Sequence, residues 1–192
     1  QGFGHHNKLS EFSQTLVYWE TILSYFVNGD TTLVDSLLQD SLDSFFYELV
    51  IFEDTTLNKT FHLLREQIDT SFVDENQITI PEDDVIGSFR NSWGLYIINP
   101  NASREQVLIQ VPHPCDDFIA PYIAMDLFLE IDAFGFMING TGREVEWSEE
   151  GTYTNSKSLS DPSRYQYTIF QKFQEAVTEP LINTQPHWPL VF

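Results

Sequence analysis

The first half of the chain places its apolar residues with the period of a helix. Between residues 9 and 27 they recur in steps of three and four, which predicts an amphipathic helix; they are Leu9, Phe12, Leu16, Trp19, Leu23 and Phe26. The run Asn28-Gly29-Asp30 ends this helix. Residues 31–53 keep helical spacing and become continuously apolar from 45 to 52, which fits either a helix end or a short strand. A third helix is predicted over residues 60–69.

An acidic stretch at residues 74–84, which contains Pro81, has the composition of a linker. We therefore place the main boundary of the chain near residue 80. In this interpretation residues 1–80 form an N-terminal helical region, and residues 81–192 form an α/β domain.

The second half is patterned for strands that alternate with helices. Trp93–Asn99 and Gln106–Val111 are strand-like runs, and the turn residues between them predict an antiparallel hairpin. The elements expected afterwards are a helix at Pro121–Asp132, a strand at Phe134–Ile138, a helix at Tyr165–Thr178 and a strand at Trp188–Phe192. This order predicts an α/β fold with a mixed, mostly parallel sheet, an entering antiparallel hairpin and flanking helices.

Polar residues follow two of the strands that this topology makes parallel. His113, Asp116 and Asp117 follow the first strand, and Asn139 and Arg143 follow the next. Because the carboxyl ends of parallel strands meet at one edge of a sheet, these side chains are expected to converge. An imidazole followed within four residues by carboxylates offers the ligand types that zinc binds. His113, Asp116 and Asp117 are therefore candidate metal ligands.

The same three residues also have an ordinary structural interpretation. The imidazole of His113 would bond a loop carbonyl between its two flanking prolines. Asp116 and Asp117 would cap the N-terminus of the following helix, a common use of aspartate. Both interpretations stay open from the sequence.

Two arginines also have both a structural and a functional interpretation. Arg143 would either pair at the surface with Glu144 or Glu146, or hold a substrate carboxylate through two parallel N–H donors. Arg164 has the same two interpretations, and Asp161 before it is interpreted as a helix or turn cap.

Composition narrows the classes of partner. The chain has 192 residues and a formal net charge of −20, with only 9 Lys and Arg residues. Such an acidic protein is unfavourable for binding nucleic acid or anionic membrane. No apolar run is long enough for a membrane-spanning helix. The single Cys115 excludes an internal disulfide.

Several features favour an exported, extracellular protein. The chain begins at Gln1 and not at Met, as expected either for an excised fragment or after removal of a signal peptide. Three Asn-x-Ser/Thr triplets, the acceptor pattern for N-glycosylation, begin at Asn58, Asn101 and Asn139. The acidic surface, rich in Asn, Thr and Ser, fits the same location.

The stretch VPHPCDDFIAPYIAMDLFLEIDAFGFMINGTGREV, with SLSDPSRYQYTIFQKFQEA after it, resembles the N-formylglutamate amidohydrolase-like proteins. These are zinc hydrolases related in fold to the metallocarboxypeptidases. The resemblance covers about residues 93–192. It rests on a strand ending in His-Pro-x-x-Asp, a helix, a second strand ending near an arginine, and a Ser-Asp segment before a further helix. It implies a zinc cofactor whose ligands are His113 and either Asp117 or Asp116, with Arg143 as a substrate-carboxylate contact.

The chain departs from the family pattern at three places. Gly142 stands where the family often has a histidine, and Arg164 stands where a histidine falls in the Ser-Asp segment. The third zinc ligand of the family is a histidine just after the final strand, and this sequence ends at Phe192.

Three functions are compatible with these features. The first is an exported zinc-dependent hydrolase of an amide or peptide bond, in which Arg143 or Arg164 holds a carboxylate. The second is a non-catalytic extracellular protein derived from this fold that assembles with copies of itself as a homo-oligomer. The third is a module that binds peptides or glycans through exposed tryptophan and tyrosine.

Overall fold

A computed structural model describes residues 8–11, 13–71, 78–80, 85–148, 158–184 and 190–191. It contains a six-stranded sheet, a separate two-stranded sheet and four helices within these ranges. The elements are α1 (Gln14–Val27), α2 (Thr31–Phe45), β1 (Tyr47–Asp54), β2 (Lys59–Glu66), β3 (Ile78–Ile80), β4 (Val85–Gly87), β5 (Leu95–Ile98), β6 (Arg104–Val111), α3 (Ala120–Glu130), β7 (Ala133–Ile138), α4 (Ile169–Thr184) and β8 (Leu190–Val191).

The six-stranded sheet is mixed. Its strand order is β1-β2-β5-β7-β6-β8. β6 is parallel to both β7 and β8, while the β1–β2, β2–β5 and β5–β7 pairs are antiparallel. The predicted α/β class, the mixed sheet and the N-terminal helices are confirmed. The antiparallel pairs are more numerous than the sequence pattern indicated, because β1 and β2 extend the sheet beyond β5.

The predicted hairpin between β5 and β6 is wrong. The turn itself forms, since the backbone N–H of Ala102 donates to the carbonyl oxygen of Asn99 at 3.2 Å. However, β7 lies between the two strands and pairs with both of them. β7 has buried residues on both of its faces, as expected for an inner strand of a sheet that helices cover on both sides.

The helix predicted over residues 60–69 is also replaced by a strand. β2 pairs along its whole length with β1, from Tyr47 opposite Glu66 to Asp54 opposite Lys59. The apolar run at residues 45–52, which the sequence left open between helix and strand, forms the end of α2 and most of β1.

Helices cover the sheet on both faces, and side chains alternate between two cores. Tyr96 and Ile98 of β5 point into a core shared with α1, α2 and α4. Ile97 between them belongs to the core under α3, because successive strand residues face opposite ways. In this second core Phe128 of α3 packs against Phe61 of β2, with ring centroids 5.7 Å apart.

The first core contains residues from both sides of the predicted boundary near residue 80. Trp19 of α1 packs edge-on against Trp93, with ring centroids 6.0 Å apart. Phe26 of α1 lies 6.1 Å from Phe173 of α4. β1 and β2 also lie in the same sheet as β5. The residues before and after the predicted boundary therefore contribute to the same sheet and to the same core.

Two of the three glycosylation triplets are accessible in the fold. Asn58 and Asn101 lie in exposed turns, whereas Asn139 is buried and 5% exposed. Among the described residues, no helix combines the length and the apolar character needed to span a bilayer.

Candidate functional site

Three segments meet at the carboxyl edge of β6 and β7. They are the turn after β6, the loop after β7 and the segment that precedes α4. The turn after β6 is closed by the carbonyl oxygen of His113, which accepts the backbone N–H groups of Asp116 at 3.2 Å and Asp117 at 2.9 Å. This turn places the imidazole and both carboxylates close together. The turn after β6 and the loop after β7 therefore meet at one edge, as predicted, and the segment before α4 joins them there.

The imidazole of His113 is held by a buried carboxylate. Its Nε2 lies 2.9 Å from Oδ1 of Asp161, whose side chain is 1% exposed. Burial alone would raise the pKa of Asp161, but hydrogen bonds from Ser163 and His113 hold that pKa below its usual value. An ionised carboxylate accepts hydrogen bonds, so Nε2 of His113 carries the proton. The other ring nitrogen, Nδ1, is then the basic one.

Asp161 is also the turn cap that the sequence suggested. Its Oδ1 accepts the backbone N–H of Ser163 at 2.9 Å and the Ser163 hydroxyl at 2.5 Å. Its buried Oδ2 has no hydrogen bond, although Nε of Arg164 lies 3.3 Å away as an ion pair. Arg164 is therefore next to the carboxylate that orients His113, with its own side chain 58% exposed.

Asp117 lies between His113 and Arg143. Its Oδ2 is 3.8 Å from Nδ1 of His113, and its Oδ1 is 4.0 Å from Nη2 of Arg143. The first distance is too long for a hydrogen bond. His113 and Arg143 thus face the same edge, with one carboxylate between them.

The carboxylate of Asp116 contacts Arg143 and not the imidazole of His113. Its Oδ2 accepts the backbone N–H of Arg143 at 2.9 Å, and its Oδ1 lies 3.5 Å from Nε of the same arginine. It therefore fastens the loop after β7 to the turn after β6. Helix α3 begins after Ile119 without a side-chain cap, so neither aspartate serves as its N-cap. Arg143 pairs with Asp116, and Glu146 pairs with Lys8 at 3.2 Å.

The loop after β7 is tied to the segment before α4 by buried side chains. The amide of Asn139 donates to the carbonyl oxygens of Thr141 and Ser160, both at 3.1 Å. The Ser160 hydroxyl accepts the backbone N–H groups of Val145 and Glu146, both at 3.2 Å. These bonds fix the position of Asp161 relative to Arg143.

The pairing of Asp161 with His113 is the part of the site that the sequence did not reveal. The two residues are 48 positions apart. The run Ser160-Asp161-Pro162-Ser163 signals a capped turn, which is a local property. No feature of the neighbouring sequence indicates that Asp161 in this turn contacts His113 after β6.

Two atoms at the edge are of the types that zinc binds. Zinc takes nitrogen and oxygen ligands at about 2.0–2.2 Å, almost always in tetrahedral geometry, so two of its ligands lie about 3.4 Å apart. Nδ1 of His113 and Oδ2 of Asp117 are 3.8 Å apart. Across the described ranges, no three His, Cys, Asp or Glu side chains form a complete ligand group. His113 and Asp117 lie somewhat farther apart than two zinc ligands, and the described residues place no third ligand beside them.

Comparison with known proteins adds no assignment. No protein-family model matches the chain. Neither the curated proteins nor the solved structures contain a match.

Proposed function

We propose that this edge site binds a zinc ion through His113 and Asp117 and that the protein hydrolyses an amide or peptide bond. The observation that carries the proposal is the orientation of His113. A buried carboxylate holds Nε2 at 2.9 Å, and Nδ1 faces Asp117 at 3.8 Å. The resemblance of residues 93–192 to the N-formylglutamate amidohydrolase-like proteins supports the same reaction class.

The pairing of His113 with Asp161 is typical of a metal-binding histidine. Histidine ligands almost always donate their second ring N–H to a carboxylate, a carbonyl or a water molecule, which fixes the ring and makes the ligating nitrogen more basic. A zinc ion bound there would activate a water molecule and polarise the carbonyl of the substrate. Of the two aspartates, Asp117 is the proposed ligand, because Asp116 already holds the Arg143 loop.

We assign the two arginines to different roles. Arg143 is held by Asp116 beside Asp117, so its guanidinium would bind a carboxylate of the substrate next to the reacting bond. The ion pair of Arg164 with Asp161 supports the carboxylate that orients His113. In this proposal Arg143 contacts the substrate and Arg164 positions the site.

Metal analysis of the native protein tests the zinc site. We expect one zinc ion per chain in the wild type and loss of that zinc in His113→Ala. His62→Gln is the matched control, because His62 lies on β2 away from this edge and its replacement should leave the metal content unchanged. Equal zinc in both variants would rule out His113 as a ligand.

Hydrolysis of N-acetyl amino acids, followed by release of the free amine, tests the reaction. Arg143→Met should raise KM for substrates with a free carboxylate and leave KM for the corresponding neutral amides unchanged. Arg104→Met, at the opposite end of β6, is the control for loss of a positive charge. A zinc-loaded protein that cleaves none of these amides would contradict the proposed reaction.

A second candidate function is self-assembly without catalysis. The observation in its favour is an exposed apolar group beside Asp117, whose members are between 59% and 80% exposed; they are Phe118, Ile119, Tyr122 and Ile123. Contiguous apolar surface of this kind often mediates protein–protein contact. Sedimentation velocity over a dilution series tests it: a persistent monomer would contradict assembly, and an oligomer that Phe118→Ser dissociates would support it.

The proposal includes an extracellular location. The net charge of −20 and the exposed turns at Asn58 and Asn101 support it. Peptide mass spectrometry of protein from its native source tests this point. Glycans are expected at Asn58 or Asn101 and not at the buried Asn139.

A further inference from the structure

A cavity of about 930 Å³ opens beside the turn that carries His113. Pro114 and Cys115, the two residues after His113, form part of its wall, together with Asn139 and Gly140 after β7. The volume lies within the range of small-molecule binding sites, which is roughly 300–1,000 Å³. The cavity is therefore large enough for a ligand and adjoins the proposed reaction site.

The cavity lies on the α3 face of the sheet, over parts of β2 and β5 that α3 leaves partly exposed. α3 packs on β6 and β7, whereas Leu63 of β2 and Leu95 of β5 remain partly exposed on this face. These two leucines and Ile138 of β7 supply apolar wall. A gap in the helix layer thus leaves a concave apolar surface open.

Strand register connects this wall to His113. Leu95 of β5 stands opposite Arg65 on one side and opposite Ile138 on the other. Ile138 in turn stands opposite Val111, the last residue of β6. His113 follows Val111 by two residues. A molecule lying along this row would have its apolar part on Leu95 and Ile138 and its other end at the edge site.

The charged groups of the cavity are already paired. Nε of Arg65 lies 2.7 Å from Oε1 of Glu48. The buried carboxylate of Glu66 accepts the backbone N–H groups of Asn91 at 2.5 Å and Ser92 at 2.8 Å. The wall therefore contains two carboxylates and one guanidinium that is engaged by one of them. This arrangement disfavours an anionic group and leaves the apolar wall as the part that selects a ligand.

We propose that this cavity binds an uncharged apolar side chain, aromatic or branched aliphatic, of the molecule whose amide bond lies at the edge site. The identification of that molecule as a substrate rests on the proposed function, whereas the binding of an apolar group does not. The cavity makes an apolar amino acid derivative the preferred substrate class, with its side chain over Leu95 and Ile138 and its amide near His113.

Alkylation of Cys115 measures occupancy of the cavity directly. Cys115 lines the cavity, is exposed and is the single cysteine of the chain, so the mass of the intact protein reports one site. Saturating N-acetyl-L-phenylalaninamide should slow the reaction of Cys115 with iodoacetamide at least threefold. N-acetylglycinamide, which lacks the side chain, should leave the rate unchanged. Equal rates with the two compounds would overturn the proposal.

Filling the cavity provides a second test. Leu63→Trp replaces a wall side chain with a larger, aromatic one and should abolish protection by N-acetyl-L-phenylalaninamide. Ile51→Trp is the matched control, because Ile51 pairs with His62 and faces away from Leu63; protection should persist. If circular dichroism finds Leu63→Trp unfolded, Leu95→Phe serves as a smaller filling of the same wall. Protection that survives filling in a folded variant would place the ligand elsewhere and overturn the proposal.

The zinc-site variant separates this proposal from the proposed function. His113→Ala is expected to lose zinc and hydrolysis but to keep the protection of Cys115. Absence of hydrolysis with intact protection would refute the reaction alone. Absence of protection in a protein that binds zinc would refute the cavity assignment alone.

Discussion

At the scale of single residues, the site depends on a buried aspartate that fixes an imidazole. Asp161 uses one oxygen for His113 and for Ser163, and its other oxygen lies beside Arg164. Such a carboxylate affects metal binding indirectly: it fixes the orientation of the histidine ring and determines which ring nitrogen is free to bind the metal. The sequence predicted His113, Asp117 and Arg143 as neighbours because each follows a strand. It could not predict Asp161 as the partner, because that contact depends on how α4 packs.

Asp161→Asn should weaken zinc binding without removing a ligand. Loss of a carboxylate that orients a metal-binding histidine typically lowers metal affinity by about 10–100-fold. The control is Asp69→Asn, since Asp69 is also buried and pairs with Arg90 away from this edge. Competition with a chelating dye measures both affinities. A weakening of zinc binding by Asp69→Asn as large as that by Asp161→Asn would contradict the orienting role.

Glu66 should make the stability of the fold depend on pH. Burial raises its pKa from 4.5 to about 7, although backbone hydrogen bonds from Asn91 and Ser92 act in the opposite direction. The folded state then holds this proton more tightly than the unfolded state. Stability is therefore predicted to fall as pH rises from 4.5 to about 7, by about 3 kcal/mol, and to be constant with respect to this group above that range.

Urea unfolding near pH 5 and near pH 8 measures this dependence. Glu66→Gln has no titrating group at this position, so the share of the pH dependence due to Glu66 should disappear in that variant. Glu48→Gln, a partly exposed neighbour in the same cavity wall, should keep the wild-type dependence. An identical loss of stability with pH in the wild type and in Glu66→Gln would contradict the prediction.

At the scale of elements, the sequence predicted helices better than strand pairing. The three-and-four spacing predicted α1 with its observed end at Val27, although the helix begins at Gln14 and not at residue 9. The helix predicted at Pro121–Asp132 forms as α3 within two residues of its predicted bounds. Strand neighbours are decided by distant residues, and so the turn after β5 suggested a hairpin although β7 separates β5 from β6. The sequence predicts a helix over residues 60–69, where β2 forms; the apolar run there is short, and periodicity does not separate helix from strand in such runs.

Gly94 should be intolerant of any side chain because β5 and β7 approach closely at the site edge. A Cβ at Gly94 would lie 2.1 Å from the carbonyl oxygen of Ile138, and its φ is +105°. Gly94→Ala is expected to cost about 3 kcal/mol or more in unfolding free energy. The control is Gly29→Ala, where φ is +76° but nothing lies within 4 Å, so only about 1 kcal/mol of backbone strain is expected. Similar losses for the two variants in urea unfolding would contradict the close approach.

At the scale of the whole molecule, one core unites the two halves of the chain. The acidic stretch near residue 80 has the composition of a linker, yet Trp19 packs against Trp93 and the hydroxyl of Tyr47 donates to the carbonyl oxygen of Gly94 at 2.7 Å. Local composition reports how polar a segment is and not whether its flanks share a core. The site is held in place by this shared core, because the segment before α4 depends on α4 packing against α1.

A fragment of residues 81–192 is therefore expected not to fold alone. It would expose the faces of β5, β7 and α4 that α1 and β2 cover in the whole chain. Chemical unfolding followed by circular dichroism should give no cooperative transition for this fragment, and addition of the fragment 1–80 should restore one. A cooperative transition of residues 81–192 by themselves would instead support an independent domain.

Zinc-edge anomalous diffraction from crystals of the native protein tests the central claim most directly. The account predicts an anomalous peak about 2.1 Å from Nδ1 of His113 and near Oδ2 of Asp117, with Nε2 still bonded to Asp161. A zinc-containing crystal whose anomalous peaks all lie away from His113 would contradict it.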